Sequence, residues 1–135
     1  MALQFLLLVL LHSHFVLSQN TVSIGGRTDI QKLRACAQEV FEDALWGWGV
    51  FISQNLKCDY RPPMDECFCR PDLQGQAENF ISSQVGASCS KNTLDITAAV
   101  SVYDAYCTSA GFTKAAAVAT TTTGMFFSLP LPVLS

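Results

Sequence analysis

Six cysteines and the confinement of histidine to the first eighteen residues bound the chemistry of this 135-residue chain. Its two histidines, His12 and His14, both lie in the first eighteen residues, ahead of all six cysteines, Cys36, Cys58, Cys67, Cys69, Cys89 and Cys107. If that leading stretch is removed, the remainder lacks the side chain that most often serves as a general base near neutral pH and as a metal ligand. Ser-His-Asp, Cys-His and His-zinc arrangements are then excluded. Cys67-Phe-Cys69 is too closely spaced for a zinc turn and has no second close pair to complete one.

The leading stretch reads as an export signal. Leu6 to Leu11 is an unbroken apolar run, and Phe15-Val-Leu-Ser18 places small or apolar residues where a signal peptidase cuts. Residues 1–18 are therefore expected to be removed, with cleavage after Ser18 or Gln19, leaving one domain's worth of chain. No later apolar run approaches the roughly 18 residues that span a bilayer. The formal net charge of -3, with no basic run, gives no reason to expect nucleic acid or anionic lipid as a partner.

Cysteines of an exported chain meet an oxidising compartment, and an even count permits full pairing. Three disulfides and no free thiol are expected. At about 2–4 kcal/mol each, they rival the whole net stability of a small domain. The spacing leaves the connectivity open, except that Cys67 and Cys69 should not pair with each other. Read as an extended segment, they point to opposite sides and should bridge to two different helices.

The elements that position these cysteines follow from periodicity. Thr28 with Gln31 forms a capping-box pattern, and Ile30, Leu33, Ala37, Val40, Phe41 and Leu45 recur at helical spacing, predicting a helix from Thr28 to about Leu45. Trp46-Gly-Trp-Gly49 breaks it, and a short helix or irregular apolar segment continues to Leu56. The consecutive prolines Pro62 and Pro63 make Cys58 to Cys69 a loop. Pro71-Asp72 starts a helix running to about Val85 on Leu73, Ala77, Phe80, Ile81 and Val85. Asn92 caps a last helix on Ile96, Val100, Tyr103 and Cys107 that stops at Gly111. With no sustained strand alternation, the expected class is all-α, a small disulfide-stapled helical domain with an irregular Pro-rich central loop. It spans 19–111, and 112–135 forms a low-complexity tail.

The cysteine order with its central Cys67-Phe-Cys69, a helix before each of the last two cysteines, and the closing Val102-Tyr-Asp-Ala-Tyr-Cys107-Thr-Ser-Ala-Gly111 resemble the fungal CFEM family of extracellular membrane proteins over about residues 33–111. That family has eight cysteines. The second would fall at Val40 and the sixth at Gln84 or Val85, a pair whose joint loss implies that the two positions face each other.

The resemblance implies a non-enzymatic protein that is secreted, or associated with the fungal cell wall or cell surface, with an unidentified wall or surface partner and in some members a lipid anchor. Some members also bind haem through an aspartate three residues before the fourth cysteine. Here that position is Met64, with Asp65 one place later, so these two are the candidate axial ligands. Otherwise no cofactor or metal is expected.

The alternative is a secreted carrier of a small apolar ligand such as a lipid or sterol, with Phe41, Trp46, Trp48, Phe51 and Phe80 as candidate pocket walls. Core filling is the stronger reading of these aromatics, since such side chains dominate the buried area of any domain this size. The carboxylate pairs Asp65-Glu66 and Glu42-Asp43 carry no further mark of catalysis. Lys114-Ala-Ala-Ala117, a short spacer and the apolar Met125 to Leu134 reach only the lower limit of a lipid-anchor signal. Free secretion or wall association is preferred, with Thr120 to Thr123 as O-glycosylation sites.

Overall fold

In the computed structural model the described residues are 20–114. The expected export signal at 1–18, and the tail beyond Lys114 with its anchor and glycosylation readings, lie outside them. Two 3-10 turns, Ile24–Gly26 and Ile30–Lys32, lead into the single helical turn α1 (Ala35–Gln38). A two-stranded hairpin follows, β1 (Glu42–Asp43) and β2 (Gly47–Trp48). Four helices complete the chain: α2 (Val50–Asn55), α3 (Asp65–Phe68), α4 (Gln74–Ser88) and α5 (Thr93–Ser109).

The antiparallel pair α4 and α5 forms the frame. Ala77, Ile81 and Val85 recur every four residues along α4 and are all fully buried, so one stripe of the helix faces the core. Ala99, Val102, Tyr103, Tyr106 and Cys107 do the same on α5. Asn92 caps α5 as its sequence suggested, its side chain accepting from the backbone N–H of Leu94 at 2.9 Å. At the other end Gly111 takes φ +92°, while the N–H of Phe112 donates to the Cys107 carbonyl and that of Gly111 to the Thr108 carbonyl. This is a Schellman stop, which needs a residue free to adopt the left-handed region.

The helix expected from Thr28 to Leu45 does not form. Asp29 caps only a 3-10 turn, accepting from Ile30 N–H. Leu33 and Arg34 then turn extended, at ψ 153° and 148°, and end it. After α1 the chain reverses through β1 and β2, in register Glu42 to Trp48 and Asp43 to Gly47. Asp43 Oδ1 accepts from the N–H groups of Leu45 and Trp46 at 2.8 Å each, building the turn that a helix would have to forgo. Gly47 at φ +92° closes this three-residue loop. The hairpin also corrects the all-α expectation to a helix-rich fold with a small sheet.

The cysteines pair as Cys36–Cys89, Cys58–Cys67 and Cys69–Cys107, and no free cysteine remains. Cys67 and Cys69 part company as expected, although the segment is a helical turn and not extended chain. Two residues apart on a helix is about 200° of rotation, which separates side chains as effectively. Cys69 reaches α5, whereas Cys67 reaches Cys58 just beyond α2, outside any helix. The short helix α3 is thereby clamped on both sides, and Phe68 between the two bridges packs edge-on against Tyr103 and Tyr106, with ring centroids 5.4 and 5.8 Å away.

Candidate functional site

Three features of the described residues have the makings of a site. The first is a surface formed by two loops. Leu45 is 84% exposed and Trp46 51% exposed at the tip of the β1–β2 hairpin. Their backbone is held by the Asp43 turn, so neither side chain is displayed on a slack loop. From the neighbouring loop, Arg61 lays its guanidinium over the Trp46 ring at 3.7 Å and lies 5.0 Å from the Tyr60 ring. Tyr60 pairs with Pro63 across the Pro-Pro turn, and the Cys58–Cys67 bridge closes that loop at its base. Cation–π contact of this kind is worth about 0.5–1 kcal/mol at an exposed site, enough to favour one geometry of the two tips.

The second is a polar cavity of about 350 Å³ lined by Asn20, Thr21, Ser23, Asp65, Tyr106, Ser109 and Ala110. Asp65 is only 5% exposed. The Tyr106 hydroxyl donates to its Oδ1 and in turn accepts from Ser23 N–H at 2.9 Å. Burial raises the Asp65 carboxyl above its ordinary range, partly offset by the Tyr106 hydrogen bond, with the negative charge of Glu66 adding to the rise. Burial and the bond to Asp65 push the Tyr106 phenol up to about 12. The pair therefore favours a protonated phenol and resists a free carboxylate.

An axial haem ligand must present a free lone pair beside flat apolar walls. Asp65 Oδ1 is already engaged by Tyr106, and the cavity around it is walled mainly by hydroxyl and amide side chains. Met64 is half-buried, extended at the start of α3, and bridged to Thr21 through its backbone. As folded, these residues do not fit the porphyrin.

The third is an open groove of about 300 Å³ with a mixed lining, apolar from Val40, Phe51 and Phe80 and polar from Glu39, Gln84 and Ser88. Of the five aromatics expected to line a ligand pocket, only Phe51 and Phe80 do so. Phe41 is fully buried in the core, Trp46 is at the hairpin tip, and Trp48 packs over Gly25. Val40 and Gln84 stand on this same groove, whereas Val85, the other position weighed opposite Val40, is buried in the core.

The other carboxylates singled out in the sequence do not join these features. Asp43 builds the hairpin turn, and Glu42 is exposed. Asp95 lies within 4.8 Å of the sulfurs of Cys36 and Cys89, but those sulfurs are joined to each other and Asp95 pairs with Arg34 at 2.8 Å. Cysteine ligates a metal as the thiolate, which a disulfide does not offer.

Sequence reasoning named Asp65 but missed its partner Tyr106 and the Ser23 N–H that in turn donates to Tyr106. The one available signal was the Tyr103/Tyr106 spacing, which puts two phenols on the buried face of α5. The chain matches no family model, no curated protein and no solved structure.

Proposed function

We propose that this is an exported, non-enzymatic extracellular protein of the CFEM-like kind, which docks on a cell-wall or cell-surface partner through Leu45, Trp46, Tyr60 and Arg61. The observation carrying this reading is the exposure of Leu45 and Trp46 on a hairpin tip held by Asp43 and buttressed by Arg61. Large apolar side chains on a rigid tip lose little entropy on binding, and Trp, Tyr and Arg are the residues that most often dominate binding energy. The disulfides support an oxidising location, and among the described residues no helix is long and apolar enough to cross a membrane.

The test is co-sedimentation of the secreted protein with isolated fungal cell walls. The Leu45→Ser, Trp46→Ser double variant should keep its disulfides and its circular-dichroism spectrum while losing at least about tenfold in binding. Equal retention of variant and wild type by the walls would overturn the reading.

A second reading rests on the groove walled by Val40, Phe51 and Phe80, whose volume of about 300 Å³ stands at the lower end for small-ligand sites. Displacement of a fluorescent fatty acid or sterol probe, abolished by Phe80→Asp, would favour a carrier. Absence of probe binding to the wild type would remove it.

A further inference from the structure

Arg61 differs from the other arginines of the described residues, each of which is matched to an aspartate. Arg27 pairs with Asp29 at 2.7 Å, Arg34 with Asp95 at 2.8 Å and Arg70 with Asp72 at 2.8 Å. Among the described residues Arg61 enters no ion pair. Asp59, two places earlier, meets it through the backbone, its Oδ1 accepting the Arg61 N–H at 3.4 Å. Asp43, the carboxylate of the hairpin tip, has its Oδ1 engaged by the N–H groups of Leu45 and Trp46.

Where the other arginines meet a carboxylate, Arg61 meets rings. Its guanidinium lies 3.7 Å from the centroid of Trp46 and 5.0 Å from that of Tyr60. A ring face attracts the charge but leaves unspent the fork of N–H donors that matches the two oxygens of a carboxylate. Holding the guanidinium in place beforehand also removes part of the rotamer entropy that a free arginine loses on binding. Arg61 is thus a positioned cation on the same surface as Leu45 and Trp46.

Leu45 distinguishes a protein partner from a polysaccharide. It is an aliphatic side chain 84% exposed at the tip, and it gains from contact only where a partner's apolar atoms exclude water from it. A polysaccharide can stack a sugar ring on Trp46 but has no apolar pocket for Leu45. A protein surface offers both the pocket and a carboxylate at its rim.

We propose that the partner is a protein of the wall or cell surface, with an apolar pocket that takes Leu45 and the exposed part of Trp46 and an Asp or Glu carboxylate that accepts the N–H fork of Arg61. The inference rests on the docking reading above and names the chemistry of its partner. The pocket supplies most of the affinity, and the carboxylate fixes orientation and partner choice.

The experiment uses the full secreted chain and isolated fungal cell walls, either untreated, amidated with a carbodiimide, which neutralises carboxylates and spares phosphodiesters, or digested with protease. Wild-type retention should fall at least about tenfold on amidated walls and be lost on digested ones. Arg61→Gln should bind untreated walls at least about tenfold more weakly, with no further loss on amidation, because one pair cannot be lost twice. Support of Trp46 by Arg61 would not produce that non-additivity, since amidation changes only the wall. If Arg61→Gln abolishes binding altogether, Arg61→Lys, which keeps a charge over the ring and loses the fork, takes its place in the same cycle. Equal wild-type retention on amidated and untreated walls, or full additivity of amidation with the Arg61 variant, overturns this inference and leaves the docking reading standing. Retention that survives protease assigns the acceptor to an acidic polysaccharide and overturns the protein partner. Untreated walls that retain the Leu45→Ser, Trp46→Ser variant as they retain wild type overturn the docking reading, and the inference with it.

Discussion

Tyr103 donates its hydroxyl hydrogen to the backbone carbonyl of Phe68, 2.7 Å away and 35 positions earlier in the chain. Both residues are fully buried, and the acceptor sits between the half-cystines Cys67 and Cys69. Tyr103→Phe keeps the ring contact and removes only the donor, leaving a buried carbonyl unpaired. The expected cost is about 1–3 kcal/mol, read as a lower urea midpoint with the disulfides intact. An unchanged midpoint would show that the bond contributes nothing net.

Gly25 is fixed by its neighbour rather than by its own backbone. A Cβ built there would lie 2.2 Å from the Trp48 ring, so an alanine must displace the indole. Gly25→Ala should destabilise by about 1–3 kcal/mol, as overpacking does, and shift the tryptophan emission. Native emission at native stability would mean that Trp48 is not seated on Gly25.

Asp104 gives the stability a pH dependence of definite sign. Its carboxyl is raised first by burial and then by the negative charge of Glu78 from α4, with Lys114 from the C-terminal segment opposing. The folded protein holds this proton more tightly than the unfolded chain. Its contribution is therefore full below the ordinary carboxylate range and is lost as pH rises through the raised folded value. Denaturation midpoints measured across that window should fall with pH in the wild type relative to Asp104→Asn, and parallel curves would count against it.

Val40 and Gln84 stand on one groove, which makes them a place to introduce a fourth bridge. The Val40→Cys, Gln84→Cys protein should show no titratable thiol after oxidative folding and gain up to about 2–4 kcal/mol. Two reactive thiols would place these Cα atoms beyond the roughly 7 Å that a disulfide tolerates.

The three natural bridges should differ in value. Cys36–Cys89 spans 53 positions and Cys58–Cys67 only 9. On chain entropy alone, replacing the first pair by alanine should cost about 1.5 kcal/mol more than replacing the second. Calorimetry on the two double variants tests the order, and the reverse order would assign the dominant effect to packing around α3.

The sequence by itself determined the long helices and many of the buried positions, although Leu73, Phe80, Ile96 and Val100 of the expected stripes are only partly buried. Asn92, Gly111 and the four-residue repeats of α4 and α5 are local signals, and local signals suffice for helices of four turns. It also identified Ile30, Ala37, Val40 and Phe41 as interior, and all four are buried. What it misassigned was the element that carries them. Hydrophobic spacing reports burial, and a series of 3-10 and α turns followed by a hairpin buries the same side chains as one helix would. The exposed Leu45 marks where the two arrangements diverge. Only the tertiary structure decided the pairing of the six cysteines, the meeting of Arg61 with Trp46, and the enclosure of Asp65 by Tyr106 and the Asn20–Ser23 segment. Each of these joins residues distant in the chain, and their selection depends on loop closure and on the burial of polar groups that must find partners, neither of which leaves a periodic trace in sequence.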